Sequence, residues 1–110
     1  MMTGYLFIET RDPFESRDTE FVAATAAALK ERDNEVTVFL VQNGVLAARR
    51  GARDPYLARL AQAGVRILAD DFSLRERGIA GNELRAGVAQ SSVEALVEML
   101  ARDEMKAIWH

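Results

Sequence analysis

Asp70 and Asp71 stand side by side directly after the apolar run Val65–Ala69. Adjacent carboxylates at the end of a buried strand suit three tasks: binding a cation, serving as general acid or base, or capping the next helix. In a parallel α/β sheet, ligands gather at the carboxyl ends of the strands, so Asp70 is the first candidate for chemistry. Asp12 and Ser91 follow other strand-like runs and complete an enzyme reading, in which Asp70 supports metal- or acid-assisted chemistry. The plainer reading makes Asp70 a helix cap, Asp71 a solvated charge and Asp12 a turn residue before Pro13. The strong cap preference of aspartate favours the plainer one.

The remaining chemistry is bounded by residue counts. There is no cysteine, which removes disulfides, thiolate metal sites and every mechanism that carries sulfur on a cysteine. The one histidine, His110, stands at a chain end that frays in most proteins, and it has no second histidine to share a metal. No metal site and no cofactor are expected. Arg49, Arg50 and Arg53 form a basic cluster that reads first as solvated surface and second as a seat for an anion or a partner's carboxylate. Gly81-Asn82-Glu83 has neither the preceding strand nor the following Gly-Lys-Ser/Thr of a phosphate loop.

A chain of 110 residues suffices for one domain, 1–110, with a proper core. Hydrophobic residues are 49% and charged residues 28% of the chain, an ordinary globular balance. A net charge of −3 argues against nucleic-acid binding through a basic face. No apolar run reaches the roughly 20 residues of a membrane span, and Met1–Glu9 carries no basic leader segment. The expected compartment is the cytoplasm.

Tyr5–Ile8, Val36–Val41 and Val65–Ala69 read as buried strands, Val88-Ala89 as a minimal strand and Met105–Trp109 as the last. Between the first two, Arg17–Arg32 reads as a helix capped by Ser16 or Asp18, with Phe21, Val22, Thr25, Ala26, Ala28 and Leu29 inward. Gln42-Asn43-Gly44 turns the chain, and one or two helical turns follow over Val45–Arg50. Asp54-Pro55 opens a helix that stops at Gly64. Ser91-Ser-Val-Glu94 matches a capping box, and Val93, Leu96, Val97, Leu100 and Ala101 form one apolar stripe. Five strands alternating with helices predict a three-layer α/β/α fold around an open, mainly parallel, doubly wound sheet.

This order of features resembles the DsrE/DsrF/DsrH (TusBCD-like) family of small sulfur-relay proteins. The likeness rests on Asp12-Pro13-Phe14 with the alanine-rich helix after it, and on Asn43-Gly44-Val45 after the second strand. It continues through Gly64-Val65 to Arg77-Gly78, and through the strand, Ser91-Ser92, helix and strand of the last third. The resemblance implies an oligomer, a trimer or hexamer, and a sulfur-relay protein as partner. It also places the family's persulfide-carrying cysteine at Asp70, and sets Arg11 where many relatives have glycine. A carboxylate cannot attack or hold a sulfane sulfur. The resemblance therefore implies a non-catalytic or accessory member, with Arg11, Asp12, Asn43, Gly44, Asp70 and Ser91 as ligand-binding candidates. Phospho-receiver domains also place acids at these strand ends, but Lys106 begins the last strand here instead of ending it.

Overall fold

The computed structural model describes residues 3–110, so Met1 and Met2, part of the stretch read for a leader, lie outside it. Strands β1 (Gly4–Glu9), β2 (Glu35–Leu40), β3 (Arg66–Asp70), β4 (Val88–Ser91) and β5 (Met105–Trp109) pair in the order β4-β3-β2-β1-β5. Every pairing is parallel. Helices α1 (Asp18–Glu31), α2 (Tyr56–Gln62), α3 (Asp71–Glu76) and α4 (Val93–Leu100) supply the crossovers, helped by 3₁₀ turns over Gln42–Ala48 and Gly81–Glu83.

Strand order and crossover hand together explain the layers. From β1 to β4 the chain steps one way across the sheet, so right-handed crossovers put α1, α2 and α3 on one face. From β4 it returns past three strands to β5, and the same hand puts α4 on the other face. The first face buries Phe7, Val38, Leu40, Ile67 and Ala69 under Val22, Ala26, Leu57, Leu60 and Leu74. The second buries Leu6, Ile8, Phe39 and Leu68 under Leu96 and Met99, with Val41, Ala95 and Met105 half-buried against them. One eight-residue helix cannot cover that face.

Four local expectations change. In α1 the buried residues are Thr19, Val22, Ala23, Ala26 and Ala27, while Phe21 faces solvent. Apolar residues surround much of this helix, so periodicity does not define its inner side; close approach to the sheet selects small side chains and turns the phenyl ring out. Arg17 holds the N-cap position without a side-chain bond, and Ser16 Oγ accepts the Asp18 N–H at 3.3 Å. In α4 the cap is Ser92, whose Oγ accepts the Ala95 N–H at 3.2 Å, because Ser91 is engaged as the last residue of β4. Val93, Val97 and Leu100 of the expected stripe are exposed, and Met99 takes the inner place.

Candidate functional site

The expected cap forms at the end of β3. Asp70 is 3% exposed, and its Oδ2 accepts two bonds from Ser73, the N–H at 2.9 Å and the Oγ–H at 2.7 Å. Ser73 Oγ in turn accepts the Gln42 N–H at 2.8 Å, linking the β3–α3 junction to the turn after β2. Gln42 has φ +51°, a left-handed conformation costly for a residue with a side chain, and this bond helps to hold it there. Asn43 Oδ1 accepts from Arg77 Nη2 and Nε at 3.0 and 3.2 Å, tying the same turn to the end of α3. Asp70 Oδ1 is buried and has no partner among the described residues.

Ser91 is the direct register partner of Asp70, so β3 and β4 bring these two candidates to adjacent strand ends. Asp12 is elsewhere. It follows β1, with β2 lying between β1 and β3, and two strand spacings amount to roughly 10 Å. Its Oδ1 accepts the Phe14 N–H at 3.1 Å and its carbonyl accepts from Glu15 and Ser16, the pattern of a turn residue. Gly44 is packed so tightly on β1 that a Cβ there would run into the Glu9 carbonyl oxygen. Arg11 gives its backbone N–H to Glu9 Oε1 at 2.9 Å and leaves its side chain in solvent.

A second polar cluster sits where the strand order reverses, between β1 and β5. In open α/β sheets that reversal opens the usual ligand crevice. Here Glu9, fully buried, ends β1 beneath His110, whose Nδ1 lies 2.8 Å from both carboxylate oxygens. His110 Nε2 is 3.8 Å from Asp18 Oδ2 on α1. The backbone is held as firmly: His110 N–H donates to Ile8 O at 2.9 Å, and Thr10 N–H and Oγ1 donate to His110 O at 2.8 and 2.9 Å. His110 is thus anchored, contrary to the frayed end expected for it. Burial pushes the Glu9 carboxyl above its ordinary range, opposed by the Arg11 N–H and His110. The nearby Tyr56 hydroxyl is buried without a partner among the described residues, and burial with Glu9, Asp54 and Asp12 close by keeps it protonated.

Glu9 is the residue that reading the sequence missed. It ends an apolar run as a polar residue normally does when a strand reaches solvent, and its only signal is that the strand continues one residue past Ile8. Among the described residues no group of three or more acidic or histidine side chains is placed to hold a metal ion. No helix there is long and apolar enough to cross a membrane.

Comparison with known proteins follows the same lines. The family model described as the DsrE/DsrF-like family matches residues 3–105. The ychN protein from E. coli has a similar structure, with a TM-score of 0.81 at 21% identity, over 98% of this chain and 100% of that one. MTH1491 from Methanobacterium thermoautotrophicum, titled a protein of unknown function, gives 0.80 at 21% identity with both chains fully covered. No curated protein matches the chain in sequence. At such identity the two structures speak for the fold alone.

Proposed function

The chain belongs to the DsrE/DsrF-like family, and on that premise we propose that it is a non-catalytic accessory member acting in cytoplasmic sulfur metabolism. The observation that carries this reading is the state of Asp70. At the position where the resemblance puts a working cysteine, a buried carboxylate caps α3 through Ser73. Persulfide transfer needs a thiolate, and the chain contains no cysteine to provide one.

An accessory role works through contacts, and the α4 side of the sheet supports one. Val93, Val97 and Leu100 are exposed there, and Trp109, 69% exposed, shares the face of Ile8 through its β5 register. Copies of this chain, assembled as a trimer or hexamer, are the proposed cover, with a sulfur-relay protein as the further partner. A small anionic ligand at the strand ends would be met by the exposed Arg11 after β1 and the Asn43-Gly44 turn after the neighbouring β2.

An enzyme using Asp70 is the second reading, favoured by one observation, the unpartnered Oδ1. Incubation with a persulfidated donor protein, followed by intact-mass measurement, tests the accessory role. No covalent sulfur should appear on this chain; a stable adduct overturns the proposal. Light scattering should give a multiple of the 12.2 kDa chain mass, and a monomer at micromolar concentration overturns the assembly. Asp70→Asn should leave ligand and metal binding unchanged, whereas an enzyme would lose one of them.

A further inference from the structure

We propose that the recess lined by Arg49, Arg50, Arg53 and Phe14 binds a phosphorylated nucleoside, with the phosphates on the guanidinium groups and the base on the phenyl ring. The recess has a volume of about 790 Å³, within the usual range for small-molecule sites. It shares no residue with the Asp70 or Glu9 clusters, so it stands or falls independently of the accessory role.

Three separated segments build it: the loop after β1, the stretch between Ala48 and α2, and the turn before β4. The last two are held in fixed relation. Arg49 bridges Leu84 in antiparallel fashion, Arg50 N–H donates to Glu83 O at 2.7 Å, and Arg85 N–H donates to Ala48 O at 2.9 Å. Arg85 Nη1 also reaches Asp54 Oδ2 at 2.9 Å from behind. These two walls are therefore in place before a ligand arrives, which lowers the ordering cost of binding.

The guanidinium groups are not consumed by internal bonds. Arg49 Nε donates to Leu46 O at 2.9 Å and Arg50 Nη2 to Asn82 O at 2.8 Å, leaving most of each group's five N–H donors free. Among the described residues none of the three arginines pairs with a carboxylate. The one acid in the lining, Glu83, turns its Oε1 to the Ala80 N–H at 2.8 Å. Three unneutralised cations within five residues, in a chain of net charge −3, mark a local field that favours a multiply charged anion. Planar guanidinium forks match phosphate oxygens.

Phe14 selects within that class. Its ring is 67% exposed at the rim, and its N–H is pinned by Asp12 after the rigid Pro13. An aromatic face beside a phosphate seat is how proteins hold a base without reading its edges. A nucleic-acid strand would need a longer basic track than one recess on an acidic protein. A nucleotide is of the right size.

Gly51 provides a clean test, because it lies in the lining and a Cβ there meets nothing within 4 Å, so a large side chain can be added without disturbing the walls. Calorimetric titration of the full chain with ADP should give a Kd below about 1 mM that weakens with salt. Arg49→Gln with Arg53→Gln should weaken ADP and inorganic pyrophosphate alike by about tenfold or more. Phe14→Ala should weaken ADP roughly threefold or more and leave pyrophosphate unchanged. Gly51→Trp should abolish ADP binding while the far-ultraviolet spectrum stays the same. No ADP binding at roughly 5 mM overturns the proposal, as does binding that these variants leave intact or a single-stranded oligonucleotide that binds more tightly than ADP.

Discussion

His110 Nδ1 lies 2.8 Å from both oxygens of the Glu9 carboxylate, joining β1 to the end of the edge strand β5 across 101 positions of sequence. The pair fills the place where the strand order reverses, the position that a ligand takes in many open α/β sheets. In this protein the reversal point is closed by its own side chains.

A buried carboxylate that loses its partner is costly. His110→Ala should lower stability by about 1–3 kcal/mol, because among the described residues Glu9 would keep only the Arg11 N–H as a direct bond. Urea unfolding followed by circular dichroism measures this. A change under a few tenths of a kcal/mol would show that water replaces the ring.

Glu9 also sets a sign for pH dependence. Burial raises its folded-state pKa above the ordinary 4.5, so the folded state binds the proton more tightly. Its contribution is therefore fully present below pH 4.5 and is lost as pH rises through the raised folded value. Glu35, with its pKa lowered first by the Arg102 hydrogen bond, contributes in the opposite sense at lower pH, where stability falls on acidification. Glu9→Gln should flatten the decline above pH 4.5 and leave the acid limb unchanged. Urea midpoints from pH 3 to 7 separate the two limbs.

Removing the α3 cap should be felt as lost stability. Asp70→Ala should cost about 2 kcal/mol, a cap bond together with the orphaned Ser73 hydroxyl. Ser73→Ala should cost about the same, because the backbone bond to Asp70 survives while the Gln42 N–H and an Asp70 carboxylate oxygen each lose the hydroxyl. Asp70→Cys should give a thiol that alkylates slowly in the native protein and quickly in urea, since the position is almost wholly buried.

Gly44→Ala tests the tightest backbone approach in the site. The added methyl meets the Glu9 carbonyl, which belongs to the sheet and cannot rotate away. Overpacking of this kind costs about 3 kcal/mol, read as a lower urea midpoint with an unchanged slope.

Trp109 is the only tryptophan, so its emission reports on the β5–α4 face alone. In an assembly covering that face the emission should be blue-shifted and move to the red on dilution. Val97→Asp should produce the red-shifted state at all concentrations, with a light-scattering mass near 12.2 kDa. Emission independent of both dilution and the variant would remove this face from the interface.

The alternation of elements, the parallel sheet, the family and the absence of a thiol are all legible in the amino-acid sequence. These depend on short-range patterns, such as continuous apolar runs, Asp54-Pro55 before α2 and Gly64 after it, and on simple counting. The Asp70 cap was legible for the same reason, since its partner Ser73 is three residues away. The tertiary structure alone decided which side of α1 and α4 turns inward, because apolar residues on several sides of a helix leave the choice to the space available over the sheet. It alone separated Asp12 from Asp70 by the width of β2, and seated Ser91 beside Asp70 through strand register. It alone brought His110 to Glu9, since a contact spanning 101 residues leaves no spacing to read. The physical reason is that local preference sets what each segment is, whereas strand order sets what each segment meets.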